Sequence, residues 1–160
     1  MGKRANVLAD RIEQGANALA SFAQTLSDAD WKTVVPKDGR TVGVLVHHVA
    51  NVYPIEIDLA LSIASGKAVT GVTWDAVAKM NAGHAHDQAS VSKHDAIELL
   101  RRNSKTAADA VRKLTDDELD NVAPFSLSAD APMTAQFVIE DHPLRHSFHH
   151  LAKIRATLKR

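Results

Sequence analysis

Four of the chain's nine histidines fall between His142 and His150, in the run HPLRHSFHHLAKIRATLKR near the C-terminus. Histidine has only modest helix propensity, so helix building does not explain such a density. Imidazole is the commonest metal ligand, and it also titrates near neutrality. Metal binding, with proton transfer beside it, is therefore the chemistry to test. The chain has no cysteine, which excludes disulfides, zinc ribbons, iron–sulfur clusters and a cysteine nucleophile. Any transition-metal site here must be built from His, Asp, Glu and water.

Facing decides which histidines can meet. Leu144, Phe148, Leu151, Ile154 and Leu158 form the apolar stripe of the last helix. His150 borders that stripe beside Ile154, and His146 lies one turn earlier on the same side, in line with Ile139. Residues four apart on a helix are stacked neighbours, the spacing of a two-histidine metal clip. His142 and His146 share that spacing, so counting alone leaves the pair open. The face separates them, because His142 and His149 fall nearer Arg145 and Lys153 on the polar side.

A third histidine comes from TVGVLVHHVANVYPIEIDLALSIAS. There Leu45, Val49, Val52, Ile55, Leu59 and Ile63 make one stripe, and His48 lies on it. His47 stands about 100° away around the helix, with Gly43, Asn51 and Asp58, toward solvent or the stripe's edge. His48, His146 and His150 would together offer three neutral nitrogens and leave an ion its full +2 charge. Three protein ligands with one open position is the arrangement of catalytic rather than structural zinc. Water or a thiol entering that position would be acidified. Asp141, Glu140, His142, His47 and Asn51 are candidates to orient ligands or move protons, and His149 to support the site. Asn81 could orient substrate or sit on a helix surface. His84, His86 and His94 read as solvated.

Each feature has a blander reading. An inward histidine is commonly a hydrogen-bonded core residue, and His-x-x-x-His arises by chance. A fourth protein ligand, such as His142 or Asp141, would close the site and favour a non-catalytic metal-binding or interaction protein. An apo bundle with three coincidental histidines is the remaining alternative.

Four long helices must position these residues. Leu8, Ile12, Ala16, Leu19, Phe22 and Leu26 predict the first over about 4–26, and the second runs from about Thr41 to Ser65, with Pro54 inside. Thr73 caps a shorter helix over about 74–89, with Trp74, Val77 and Met80 inward. Ser92 with Asp95 opens the third long helix, which carries Ile97, Leu100, Ala107, Ala108, Val111 and Leu114. Ser27/Asp30 and Thr115/Glu118 are capping signatures of short turns. VTGVT reads as a turn or brief extended piece, and APFSLSADAP as a loop. The last helix runs from about Met133, and Pro143 either starts it or bends it. The expectation is an all-α chain: a four-helix bundle with an additional short helix between the second and third long helices, in a single domain over 1–160.

Composition agrees with a soluble globular protein: 45% hydrophobic, 24% charged, with 19 acidic and 19 basic residues cancelling. No basic footprint suggests nucleic acid. The start, MGKRANVLADRIEQ, carries Asp10 and Glu13 where a secretory signal needs an apolar core, and no apolar run approaches the roughly 20 residues of a membrane span. A cytoplasmic protein is the default expectation.

The segments TVGVLVHHVANV and HSFHHLAKI resemble the DinB/YfiT-like superfamily of four-helix-bundle metal-dependent enzymes. Carried over, that family's ligands fall on His48, His146 and His150, and His149 matches a position that often holds histidine. Two departures stand out. Lys153 occupies the place of the usual Gln after the last ligand, and Pro143 is unusual so near the paired ligands. The resemblance implies a divalent metal, zinc or nickel, a small-molecule substrate and a homodimer; charge and hydropathy add the expectation of no nucleic-acid and no membrane partner. It further implies thiol-dependent transferase or isomerase chemistry using a low-molecular-weight thiol, or hydrolysis; a non-catalytic, dimeric stress-response role is the alternative.

Overall fold

The structure, a computed structural model, describes residues 2–160; Met1 lies outside the described residues. The elements run α1 (Lys3–Gln24), α2 (Asp28–Lys32), α3 (Val42–Ala64), α4 (Trp74–Asp87), α5 (Lys93–Arg112), α6 (Asp116–Asp120), β1 (Val122–Phe125) and β2 (Ala131–Thr134). The C-terminal helix then follows as α7 (Ala135–Ile139), a π-helical turn (Glu140–Leu144) and α8 (Arg145–Leu158). This is the expected four-helix bundle, with α4 as the additional helix between the second and third long ones.

Local chemistry sets the helix starts. Ser27 and Asp30 exchange side-chain-to-backbone hydrogen bonds at α2, and Thr115 and Glu118 do the same at α6. Thr41, Thr73, Ser92 and Thr134 each accept a backbone N–H three residues on, which supplies one of the donors a helix start leaves unpaired. The long helices pack in a ring. α1 lies against α5 and the C-terminal helix, and α3 lies against the same two, so α1 and α3 occupy opposite corners. One core cluster runs through the bundle, with Ile12, Leu19, Leu45, Tyr53, Ile63, Leu100 and Ile154 fully buried. Among the described residues no helix is long and apolar enough to cross a membrane.

Gly43 marks the closest approach near the site. A Cβ there would press into the indole of Trp31, with Cε2 at 2.5 Å. That indole donates Nε1–H to the Val91 carbonyl over 3.0 Å and ties α2 to the start of α5. Overpacking typically costs ~1–3 kcal/mol, against ~1 kcal/mol gained in helix propensity. Gly43→Ala is therefore expected to lower the urea midpoint; an unchanged or raised midpoint would contradict the contact.

Two expectations need correction. The segment read as a loop contains an antiparallel hairpin, with Val122 opposite Thr134 and Phe125 opposite Ala131. Its strands are four residues long and place Pro124 opposite Pro132, which removes the usual strand signature. VTGVT contributes a brief extended piece: Val69 bonds Pro124 and Ser126 through its backbone and extends the hairpin's edge. Secondly, Trp74, Val77 and Met80 do not enter the core. No residue of α4 is buried, and Trp74 is 60% exposed. α4 leans on α3 and turns its apolar side to a cleft.

Candidate metal centre

The stripe on α3 and the stripe on α8 face each other, and each carries histidine among its aliphatic residues. His48 and His150 are buried and His146 is half-buried. Nε2 of His48 lies 3.1 Å from Nε2 of His146. The ring centroids are 4.9 Å apart for His48–His146, 5.4 Å for His48–His150 and 4.8 Å for His146–His150. One ligand atom from each of the three can be chosen so that all lie within 4.8 Å of one another. The three residues selected from the helical faces therefore come together.

Glu56 completes this arrangement. It is buried two turns after His48, and its Oε1 accepts the Nδ1–H of His146 over 2.7 Å. A carboxylate can only accept, so that bond places a proton on Nδ1 and, in the neutral ring, makes Nε2, which faces His48, the nitrogen that can ligate. Burial, reinforced by the neighbouring His146 and Arg40, holds His48 down at about 3, so it is neutral at physiological pH. Burial and the neighbouring His146 and His48 push His150 lower still.

The donor set fits a divalent ion of borderline softness. Imidazole nitrogen suits zinc, copper, iron or nickel. Ligands at a tetrahedral angle around an ion with bonds of about 2.0–2.1 Å stand about 3.3–3.4 Å apart, close to the His48–His146 separation. Nδ1 of His150 is buried with no hydrogen-bond partner in the protein. An imidazole nitrogen left so is costly, and ligation of a cation removes that cost.

The other histidines divide differently from the sequence expectation. His142 does not point to the polar side. Pro143 neither starts the helix nor simply bends it, but lies inside a π-helical turn. Proline cannot donate to the carbonyl four residues back and clashes with it, and a π turn makes room by inserting a residue. The insertion turns His142 into the cleft, where its ring meets the edge of Phe125 at 5.4 Å and its side chain is 13% exposed. His149 likewise lines the cleft, edge-on to His150 at 5.2 Å. His84 is not solvated: it stacks on His47 at 5.0 Å, with His47 Nδ1 and His84 Nε2 2.8 Å apart. His86 and His94 are exposed as expected, and so is Asn51. Glu140 reaches Arg11 on the surface, and Asp141 lies 3.7 Å from His142. Asn81 lines the cleft with its Oδ1 buried and unpartnered, so it is not a plain surface residue.

Sequence reasoning missed Glu56. His48, Val52 and Glu56 follow at four-residue steps, so a charge on the buried face was visible in the pattern. Above the triad opens a cleft of about 440 Å³. Ile55, Leu59, Trp74, Val77 and Met80 give it an apolar side, and His142, His149, Arg145 and Lys153 a polar one.

A bundle with α1 and α3 at opposite corners and three convergent histidines defines a class, and comparison of the sequence agrees. The chain belongs to the DinB superfamily, whose family model matches residues 11–154. Its fold is similar to that of YfiT from Bacillus subtilis, with a TM-score of 0.77 and 18% identity, covering 99% of this chain and 89% of that one. YfiT is described as a probable metal-dependent hydrolase with an unusual four-helix bundle topology. No curated protein matches the sequence.

Proposed function

We propose that this chain is a metal-dependent enzyme in which His48, His146 and His150 hold one divalent ion, zinc or nickel, at the floor of a cleft for a small-molecule substrate. The observation that carries the reading is the convergence of three buried or half-buried histidines, one of them oriented by Glu56, beneath an open cleft. When bound, such an ion is a Lewis acid that acidifies a water or thiol in its open position. The reaction class is hydrolysis, or transfer or isomerisation with a low-molecular-weight thiol.

The chain's own residues have separable tasks. Burial keeps His48 and His150 neutral, the form that can ligate. Glu56 holds the His146 ring in one orientation and tautomer. His142 and His149 stand at the cleft wall, where a ring nitrogen can take or return a proton. The apolar side, from Ile55 to Met80, excludes water from the bound molecule. The single core cluster supports one domain over 1–160, and the balanced charge favours small molecules over nucleic acid. A homodimer in the cytoplasm is the state that the family resemblance and composition support.

The non-catalytic reading needs a fourth protein ligand. Among the described residues the convergent group contains only the three histidines, and neither His142 nor Asp141 joins it. That favours an open position and hence catalysis. The test is elemental analysis of protein purified without a histidine tag from cells supplied with zinc and nickel. The expected result is close to one ion per chain. A metal-free protein that takes up neither ion on reconstitution would overturn the proposal.

A further inference from the structure

Arg40 lines the cleft, and one nitrogen of its guanidinium is left without a partner. Arg40 precedes α3, and its side chain is 18% exposed. Its Nε and Nη2 donate to the two oxygens of Asp38 at 2.6 and 3.0 Å, a fork that fixes the guanidinium plane. Nη1 is buried and has no hydrogen-bond partner. Lys153, on α8 three residues beyond His150, brings its Nζ to 3.6 Å from the same Asp38 carboxylate. Arg40 beside it holds the Asp38 carboxyl below the usual carboxylate range, so Asp38 stays ionised and keeps the fork in place.

The position of this cluster gives it a use. Arg40, Asn81 and Lys153 line both the cleft over the triad and a wider depression of about 830 Å³ beside it. They stand where the two join. Along the outer depression the charged residues are Lys37, Arg40 and Lys153 against Asp38 alone. Glu56 is engaged by His146, and Asp141 lies against His142 and Arg145, so neither neutralises this end. A buried N–H that is already desolvated gives up little water when an acceptor arrives.

We propose that the Arg40 guanidinium and Lys153 Nζ form the recognition site for an anionic group, a carboxylate or a phosphate, on the molecule that enters the cleft. This rests on the metal-site reading above and names the class of substrate: an acid whose apolar body lies along Val77 and Met80 and whose far end reaches the triad. Lys153 is thereby a specificity-determining residue, at the very position where the chain departs from the Gln of the resembling family.

The test is calorimetric titration of the full chain, once reconstituted with zinc and once in EDTA, with hexanoate, hexyl phosphate and hexanamide. Ligands of this size bind in about the millimolar range. At least one of the two anions is expected to bind in both preparations, and the better one identifies the group. The neutral amide is expected to bind about tenfold more weakly, the loss of one charge-assisted contact. Lys153→Gln should weaken the anion about tenfold and leave the amide unchanged. The Lys153 side chain is 43% exposed and its only partner is the Asp38 carboxylate at 3.6 Å, so this variant is expected to fold. Arg40→Lys, which keeps the charge beside Asp38, should weaken the anion as well. Equal binding of amide and anion overturns the proposal. So does anion binding that needs zinc and ignores Lys153→Gln, because the ion alone then holds the anion. In a protein that takes up no zinc, anion binding that Lys153→Gln weakens upholds the anion site while the metal reading fails.

Discussion

His146→Ala is expected to strip the chain of metal, with bound ion falling from about one per chain to a trace under conditions that load the parent. Structural zinc held by four ligands is bound by roughly 10–16 kcal/mol, so each ligand accounts for about 3–4 kcal/mol, or roughly 10²–10³ in affinity. His146 is the ligand to remove because it links the other two: its Nε2 lies 3.1 Å from that of His48, and its ring stands 4.8 Å from that of His150. Glu56→Gln supplies the graded comparison. It keeps the side chain's shape and an oxygen toward Nδ1 but removes the charge that orients and polarises the ring, a change that typically costs about 10–100-fold. The expected order of affinity is parent, then Glu56→Gln, then His146→Ala. Native mass spectrometry with competing chelators reads the order directly. Full occupancy in His146→Ala would sink the three-histidine assignment, and a Glu56→Gln variant indistinguishable from the parent would remove Glu56 from it.

The candidate site was legible because its three histidines sit among aliphatic residues. Leu45, Val49 and Val52 fix the azimuth of His48 around its helix, and Leu151 and Ile154 fix that of His150. A regular helix carries such an azimuth faithfully along its length. Where regularity fails, so does the inference. The π-helical turn at Glu140–Leu144 inserts a residue between α7 and α8, and a one-residue insertion swings what precedes it by about 100°. His142 was therefore misplaced while His146 and His150, on the far side of the turn, were not.

Glu56 shows a different failure. A stripe drawn through apolar residues alone passes through Ile55, which is 42% exposed, and skips Glu56, which is 8% exposed. A buried carboxylate is tolerated only with a partner, and that partner, His146, is ninety residues away and invisible to local periodicity. The helix starts, by contrast, were readable almost to the residue, because caps are chemistry between residues three apart. α4 was misjudged for a reason tied to function. Its apolar side is real, but it borders the cleft that opens over the triad rather than the core, so amphipathicity reported a surface without saying whether protein or ligand covers it.

The metal-free protein should lose stability steeply as the pH falls from about 6.5. His48 and His150 are buried neutral in the fold, His48 with its proton affinity lowered to about 3 and His150 below that, while in the unfolded chain both titrate near 6.5. Between those values the unfolded chain binds more protons than the folded one, so acid favours unfolding. The stability these groups contribute is present above about pH 6.5 and is lost progressively below it. Each approaches about 1.4 kcal/mol per pH unit once the unfolded ring is protonated, so the two together remove about 3 kcal/mol between pH 6.5 and 5, against a total of about 5–15 kcal/mol for a domain. Asp38, held low by Arg40, contributes in the same sense only below its ordinary range near 3.8, so the loss between pH 6.5 and 5 belongs to histidine. Urea midpoints measured in EDTA at pH 7.5, 6 and 5 should fall accordingly. Burial lowers the proton affinity of His47, His84, His142 and His149 in the same sense, so they add to the slope. His150→Met, apolar and similar in size, should flatten the slope in part, because one of the most deeply buried rings no longer titrates. Added zinc should hold the midpoint up at pH 7.5 and 6, since an ion that binds only the folded chain stabilises it by mass action and competes with protons for the same nitrogens. A midpoint that stays flat to pH 5 in EDTA would mean that the two rings are not held neutral in the core, and the preorganised triad would fall with that result.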